Sequence, residues 1–291
     1  MIDSCPFCSH RDAVLFRGGQ ETRDGNRRNV YLCKDCAILY PDPRMDLDES
    51  ESYLSYIHTN REGFQFRTPG ADEINGNVRF WSFLGRYVRT GGSVLDVGAF
   101  DGAFCEVLQA LGYDAHGIEP QERATAFANG RGMKVQVGIF PDEVPADLLK
   151  RRYSLISILE TIYYFKDLKK SLNRIGELLE DGGLLLIKCH QGLSRYYDNE
   201  EHSYFSRYGD NVQGIPTLSS LRNVLDRSGF RLVKVFGIDS PDTMPINIDG
   251  LGTGFVRSLI MNIYNKLFLN YLSIGIRKSD RLVVLAGRKG G

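Results

Sequence analysis

A tight turn with two glycines follows a short apolar run near residue 98. Residues 93–97 read SVLDV and continue as GAFDG, so Asp96 lies in the run and two glycines lie in the turn. Glycines let the backbone of a turn approach a ligand, and the amides that open the next helix favour an anion. We therefore predict a ligand-binding turn. Its residues are Gly98, Ala99, Phe100, Asp101 and Gly102.

The spacing of these glycines argues against a dinucleotide site. The dinucleotide fingerprint has glycines in the pattern G-x-G-x-x-G. Counted from Gly98, Phe100 and Ala103 stand at the second and third glycine positions. A nicotinamide cofactor is therefore not expected.

An acid closes the next predicted strand. Glu119 ends the run AHGIE and is followed by Pro120, which we expect to open a helix as proline does at a first helical position. An acid roughly 20 residues beyond a ligand-binding turn is placed to accept hydrogen bonds from both hydroxyls of a ribose. We therefore predict that the turn and Glu119 bind one nucleoside-containing ligand.

Two cysteine pairs stand near the N-terminus. Cys5 and Cys8 form one C-x2-C pair, and Cys33 and Cys36 form a second. Four thiolates supply a closed tetrahedral set for a structural zinc ion, although a redox role for one pair is an alternative. The remaining cysteines, Cys105 and Cys189, are expected to be small buried residues.

Apolar runs and helical periodicity alternate along the rest of the chain. We expect a helix from Val78, a helix capped by Asp167 that ends at Gly182, and a helix from Thr217 to Gly229. Five strands joined by helices and two late strands predict a doubly wound parallel sheet finished by an antiparallel strand. The seven runs are SVLDV, AHGIE, KVQV, LISIL, LLLIK, RLVKVF and RLVVLAG.

The turn resembles motif I of class I S-adenosylmethionine-dependent methyltransferases, an acid-x-G-x-G-x-G pattern. Asp96, Gly98 and Gly102 match it, whereas Phe100 replaces the middle glycine. The resemblance implies an α/β, Rossmann-like seven-stranded sheet and S-adenosylmethionine as cofactor, whose methionine carboxylate suits the turn amides. We expect a zinc-binding module at 1–46, a connector at 47–75 and the methyltransferase domain at 76–291.

The same resemblance places further residues at the site. It puts Phe140 beside the adenine, with a core position as the alternative, and puts Glu160 at the exit of the fourth core strand. The nearby polar residue Asp142 is a candidate to bond the adenine amine. Related enzymes often carry Glu-His where this chain has Tyr163-Tyr164, which we expect to line the site or to pack in the core. His190 and His202 are then the candidate general bases, each with a structural role as the alternative. Pro120, which follows Glu119, is the last of the predicted cofactor-binding residues.

The zinc module, with the segment from Cys33 to a proline turn at Pro43, resembles those of sugar and polysaccharide-cluster methyltransferases. It implies a small-molecule acceptor, a hydroxyl or carbon of a nucleotide-linked or polysaccharide sugar. One alternative is a zinc-ribbon RNA methyltransferase that uses Arg23, Arg27 and Arg28. Nucleic acid is not the expected partner, because 36 basic residues balance 36 acidic ones. The other alternative is a non-catalytic zinc-ribbon interaction protein.

Location and assembly are inferred from the two ends of the chain. The start, MIDSCPFCSH, lacks the pattern of a secretory signal, so we expect a cytoplasmic protein. Polar residues interrupt the apolar stretch 255–276, so no membrane span is expected there. One helical face in this stretch is expected to pack on the core, with a homodimer contact or a membrane surface as alternatives. Its residues are Val256, Leu259, Ile263, Leu267 and Tyr271.

Overall fold

The computed structural model describes residues 4–21, 25–43, 68, 70–194, 212–239, 259–260, 263 and 279–290. Several residues named above lie outside these ranges. They are His202, Arg23, Val256, Leu267, Tyr271 and residues 47–67 of the connector.

A small antiparallel sheet occupies the N-terminal region. Its strand order is β1-β2-β3, and a register shift after Leu15 and another after Arg17 interrupt the pairing of β1 with β2. The strands are β1 (Ala13–Glu21), β2 (Arg27–Cys33) and β3 (Leu39–Asp42).

A seven-stranded sheet forms the main architecture, as the sequence predicts. Its order is β6-β5-β4-β7-β8-β10-β9. Strands β5 and β6 thus lie on one side of β4, and the later strands lie on the other side. The pairs β4–β5, β4–β7 and β5–β6 are parallel, which makes the gap between β4 and β7 a topological switch point. The strands are β4 (Ser93–Val97), β5 (Asp114–Glu119), β6 (Val135–Val137), β7 (Tyr153–Leu159), β8 (Leu179–His190), β9 (Phe230–Ile238) and β10 (Arg281–Arg288).

Helices follow the strands in the alternation expected of this fold. They are α1 (Ala71–Leu84), α2 (Ala103–Ala110), α3 (Glu122–Gly130), α4 (Ala146–Leu149), α5 (Leu168–Leu178) and α6 (Leu218–Arg227), with 3-10 turns at Gly85–Tyr87 and Ile162–Tyr164. Asp167 caps α5 as predicted, because its side chain accepts a hydrogen bond from the backbone nitrogen of Lys170 at 2.9 Å.

Three predicted boundaries are wrong. Helix α1 begins at Ala71 rather than at Val78. Pro120 does not open α3, which begins at Glu122 after an extended Gln121 whose amide donates to Glu119 Oε1 at 3.2 Å.

Helix α5 ends at Leu178 rather than near Gly182. Because Leu178 and Leu179 are both buried and the backbone is extended at Leu179, the chain changes there from helix to strand.

The chain divides into two compact units. One comprises Met1–Met45, Ile187–Arg227 and Leu232–Leu285, and the other comprises Asp46–Leu186, Ser228–Arg231 and Ala286–Gly291. In the second unit, β4 and β7 are almost wholly buried. The rings of Trp81 and Tyr113 pack edge to face there, with their centroids 5.0 Å apart. We refer to these as the first and second unit.

The C-terminal apolar face differs from the expected core packing where it is described. Leu259 and Ile263 are about half exposed, at 48% and 51%. Among the described residues, no helix has the length and apolarity needed to cross a membrane.

Candidate active site

The turn after β4 is bonded to the end of β5, both in the second unit. The amides of Gly98 and Ala99 both donate to the carbonyl oxygen of Ile118, at 2.9 and 3.2 Å. Gly98 and Gly102 have φ values of +78° and +75°, and Phe100 has a φ of +48°. Glycine adopts this left-handed region readily, whereas a bulky residue does so at a cost and is typical of functional sites.

Glu119 lies at the centre of this arrangement. Its side chain is only 6% exposed, and it accepts one backbone amide on each carboxylate oxygen: that of Phe100 on Oε2 at 3.0 Å and that of Gln121 on Oε1 at 3.2 Å. Each carboxylate oxygen offers about two acceptor positions. The described structure therefore leaves about one acceptor position on each oxygen of a buried, oriented carboxylate. Burial raises the pKa of Glu119 and outweighs the two amides, which lower it.

Asp96 is a second buried acid. It is 3% exposed, and its Oδ1 accepts a hydrogen bond from Ser157 Oγ on β7 at 2.6 Å. Burial, opposed by Ser157 and assisted by the charge of Glu119, raises the pKa of Asp96 to about 7. The two carboxyl groups therefore disfavour each other's ionisation.

The exit of β7 lies against the turn. A Cβ atom built on Gly98 would lie 2.3 Å from Thr161 Oγ1 and 3.0 Å from Thr161 Cβ. Glu160 has a φ of +57°, and its Oε2 accepts a hydrogen bond from the Tyr163 hydroxyl at 2.7 Å. The two chain segments at the switch point are thus in van der Waals contact.

The aromatic residues predicted for the site are mostly buried. Phe140 is 8% exposed and its ring centroid lies 6.2 Å from that of Phe165. Tyr163 is 1% exposed, and its ring packs edge to face on that of Tyr164 with the centroids 5.9 Å apart. Asp142, expected near an adenine amine, forms an ion pair with Lys170.

The turn amides differ from the sequence-based expectation. We expected them to meet an anion, yet those of Gly98, Ala99 and Phe100 donate to β5, as given above. The amide of Gly102 donates to the carbonyl of Ala99, and that of Ala103 donates to Asp101 Oδ1 at 3.1 Å. Asp101 itself thus occupies the first amide of α2 that an anionic ligand would use.

His190 belongs to the first unit. It is 2% exposed, and its Nδ1 lies 3.1 Å from Asp280 Oδ1. The backbone amide of Asp280 donates to Asp239 Oδ1 at 2.7 Å, and both acids are 2% exposed. The imidazole is therefore held by a buried carboxylate that is itself fixed in place.

The four N-terminal cysteines also lie in the first unit. Their Sγ atoms are all within 4.8 Å of one another, with Cys5 and Cys36 at 3.5 Å and Cys8 and Cys33 at 3.6 Å. The thiol of Cys36 lowers the pKa of Cys5, whereas burial raises the pKa of Cys8. Such a set matches the ligands of a structural zinc site.

Sequence reasoning missed three residues of the site. Ser157 and Thr161 are about 60 positions away from the residues that they contact, so no local pattern links them to the turn. Gln121 follows Glu119 closely and is 92% buried, but a glutamine after a proline carries no motif signal.

The burial of Asp96 predicts a particular pH dependence of stability. Its pKa rises from 3.8 to about 7 on folding, so between these values only the unfolded chain releases the proton and stability falls as pH rises. Asp96→Asn, which retains an acceptor for Ser157, should remove this loss. The variant should gain on wild type by up to about 4 kcal/mol between pH 4 and pH 7, as measured by urea unfolding.

Asp114→Asn is the control of opposite sign. Burial raises the pKa of Asp114, but Lys134 and His116 outweigh it and lower the pKa to about 2. The stability contributed by Asp114 is present above pH 4 and is lost as pH falls toward 2. A parallel pH profile for Asp96→Asn and wild type would contradict the burial of an uncompensated acid.

The contact at the switch point predicts the effect of adding a methyl group. Gly98→Ala should cost about 2–4 kcal/mol, because both the positive φ and Thr161 oppose the Cβ. Gly132→Ala, with φ +86° but open space around its Cβ, should cost only about 1 kcal/mol. The double variant Gly98→Ala/Thr161→Ala should recover the steric part in urea unfolding. Equal losses in the two glycine variants would show that Thr161 does not constrain the turn.

Comparisons with solved structures identify the fold. Coclaurine N-methyltransferase bound to N-methylheliamine and SAH is 15% identical with a TM-score of 0.52, and the alignment covers 84% of this chain and 81% of that chain. The CcbJ methyltransferase from Streptomyces caelestis is 13% identical with a TM-score of 0.51, covering 83% and 99%. An S-adenosylmethionine-dependent methyltransferase from Mesorhizobium loti is 15% identical with a TM-score of 0.50, covering 74% and 100%.

Sequence comparison identifies the family. No curated protein is matched by the sequence. The profile of a family described as a methyltransferase domain matches residues 73–235, which is more than half of the chain and includes the turn, Glu119 and the exit of β7. The chain therefore belongs to this methyltransferase-domain family, and it has the Rossmann-like fold of class I S-adenosylmethionine-dependent methyltransferases.

Proposed function

We propose that S-adenosylmethionine binds at the carboxyl ends of β4 and β5, with Glu119 accepting hydrogen bonds from the two ribose hydroxyls. The arrangement of Glu119 carries this proposal. Its carboxylate is buried and oriented by two amides, and an acceptor position remains on each oxygen. A ribose has two neighbouring hydroxyl donors, which is the number that this carboxylate can accept.

The other residues of the turn provide the surrounding surface. Gly98 lets the turn pack against Thr161, Phe100 and Ala99 shape the turn, and Asp96 places a buried carboxyl group near the end of β4. Phe140 contributes an apolar side chain for an adenine ring. Glu160 and its partner Tyr163 line the exit of β7. When bound, the cofactor supplies a methyl group on a sulfonium cation, and a cation is stabilised by nearby acids and aromatic faces.

The proposed acceptor is a hydroxyl or carbon of a nucleotide-linked or polysaccharide sugar. The zinc-module resemblance and the balance of 36 basic and 36 acidic residues support a small molecule over nucleic acid. Of the arginines considered for RNA, Arg28 donates to the carbonyl of Pro43, and Arg27 is exposed. No described feature adds support for the RNA alternative.

His190 is the proposed general base for a hydroxyl acceptor. Its Nδ1 lies 3.1 Å from Asp280 Oδ1, so the buried carboxyl group orients the imidazole ring. In that role the imidazole would accept the proton of the acceptor hydroxyl. His202 remains the second candidate general base, and Tyr163 and Tyr164 remain candidates for lining the site.

We also propose that the four cysteines hold one structural zinc ion. All six cysteines are free thiols, which suits a cytoplasmic location. The proposed organisation keeps a zinc module at 1–46, a connector at 47–75 and a methyltransferase domain at 76–291. Self-association through the exposed Leu259 and Ile263 is the proposed form of any homodimer.

The function is tested by binding and turnover together. Wild-type protein should bind S-adenosylhomocysteine in a calorimetric titration, and Glu119→Ala should lower the affinity at least tenfold, since buried hydrogen bonds to a carboxylate are strong. Glu122→Gln changes an exposed acid in the first turn of α3 and should bind like wild type. Unchanged affinity in Glu119→Ala would refute the proposed ribose contact.

Turnover should then be measured with separate pools of nucleotide sugars, polysaccharide fragments and RNA, by following release of S-adenosylhomocysteine. We expect release with one of the two sugar pools. Release with RNA alone would replace the sugar proposal with the RNA alternative. Cofactor binding without release in any pool would favour a non-catalytic protein.

We expect bound zinc to stabilise the hydrogen bonds of part of the first unit. Leu39 exchanges two backbone hydrogen bonds with Ile215, and Thr217 Oγ1 donates to the carbonyl of Ala37. Removing the metal with a chelator should therefore speed amide hydrogen exchange at Ile215 as well as in the cysteine loops. The purified protein should contain about one zinc ion per chain.

Cys33→Ser and Cys189→Ala separate ligand from non-ligand cysteines. Cys33→Ser should lose most of the zinc, whereas Cys189→Ala should retain it, because Cys189 lies in β8 and not in the cluster. Full zinc content in Cys33→Ser, or slow exchange at Ile215 after chelation, would contradict the proposed site.

A further inference from the structure

One buried side chain next to the proposed cofactor site makes no side-chain hydrogen bond within the part of the chain that the structure describes. Gln121 is 8% exposed, and neither its Oε1 nor its Nε2 has a partner among the residues that the structure describes. Its backbone amide, by contrast, donates to Glu119 Oε1 at 3.2 Å. The backbone of Gln121 therefore adjoins the carboxylate proposed to bind the ribose, while its side-chain amide is unsatisfied.

An unsatisfied buried amide is costly. Each buried donor or acceptor without a partner costs about 1–3 kcal/mol, and a glutamine amide carries both kinds of group. Natural proteins rarely retain such groups without a reason, and an absent ligand is one of the reasons.

Helix capping does not provide the reason here. Gln121 occupies the N-cap position of α3, where serine, threonine, aspartate and asparagine are preferred because their short side chains reach the amides of the first turn. The Gln121 side chain makes no such hydrogen bond. A residue selected only to begin this helix would be one of those shorter polar residues.

Gln109 shows how a structural glutamine is satisfied in the same unit. Its Nε2 donates to the carbonyl oxygen of Ala115 at 3.3 Å and ties α2 to β5. Gln121 has the same functional group in a more buried position without any such partner. The difference points to a partner that does not belong to the protein chain.

We propose that the side-chain amide of Gln121 hydrogen-bonds the adenosine part of the cofactor, beside the ribose hydroxyls at Glu119. This inference rests on the proposed cofactor site. An adenosine presents ring nitrogens that accept from Nε2 and hydroxyl or amino groups that donate to Oε1. Cofactor binding then satisfies an amide that has no partner among the described residues, so Gln121 adds affinity at the expense of stability before binding.

The inference is tested by comparing two glutamine-to-methionine variants, which preserve side-chain length. Gln121→Met should weaken binding of S-adenosylhomocysteine about tenfold, and the ligand-free variant should be at least as stable as wild type in urea unfolding. Gln109→Met should show the opposite pattern, with reduced stability and unchanged affinity. Gln121→Ser, which places a preferred N-cap residue before α3, should also lower affinity while the fold is kept.

A second ligand locates the contact. 5′-Methylthioadenosine contains the adenosine but lacks the amino-acid end, so Gln121→Met should lower its affinity by the same factor as that of S-adenosylhomocysteine. A loss restricted to S-adenosylhomocysteine would place the amide at the amino-acid end and overturn the inference.

The outcomes separate this inference from the proposed function. Wild-type affinity in Gln121→Met and Gln121→Ser, together with a loss in Glu119→Ala, would overturn the role of Gln121 and leave the cofactor site standing. Failure of wild-type protein to bind either ligand would refute the cofactor site itself, and the inference with it.

Discussion

The parallel pairing of β4 with β5, carried past the ends of both strands, is the constraint on which the site depends. Ile118 ends the regular pairing by accepting the amides of Gly98 and Ala99, and Glu119 continues it by accepting that of Phe100. The turn after β4 is therefore held by the strand beside it. Glu119 thus has two functions, since the carboxylate proposed to bind the ribose also holds the turn that lies against it.

This arrangement concentrates buried acid in a small volume. Asp96 and Glu119 are each more than nine-tenths buried, and each has a raised pKa caused first by burial. Ser157 and two backbone amides offset only part of the cost. The free site is therefore electrostatically unfavourable, and a bound cation would reduce that cost. The amide of Gln121, which no described residue pairs, adds a second cost of the same kind, so both features favour the ligand-bound state over the free one.

The parts of the fold that depend on local patterns were predictable from the sequence. Continuous apolar runs indicated all seven strands of the larger sheet, and Asp167 marked the start of α5 because capping involves residues close in sequence. The motif around Asp96 and the position of Glu119 likewise depend on short spacings. The site residues assigned from the resemblance remain predictions until ligand binding is measured.

The features that were missed depend on contacts between distant parts of the chain. The need for glycine at Gly98 comes from Thr161 as well as from the turn, and Asp96 is bonded by Ser157 from another strand. The start of α3 was predicted wrongly because a proline signal competes with the hydrogen bond from the Gln121 amide to Glu119, which keeps that residue extended. In each case the structure is decided by a contact that the local secondary-structure propensity of the sequence does not reflect.

The four-cysteine cluster has a comparable structural role within the first unit. Its loop from Cys33 to Cys36 is continued by Ala37, whose carbonyl accepts from Thr217, and Asp35 forms an ion pair with Arg227 at the end of α6. The pair is solvent-exposed and adds little stability by itself. The buried contacts contribute more, since Gly214 and Gly192 pack so closely against Ile38 and Leu39 that added Cβ atoms would lie 2.8 and 2.7 Å from those side chains. A metal ion bound by the cysteines would therefore stabilise residues 212–227 as well as its own loops, because the same short loop contacts both.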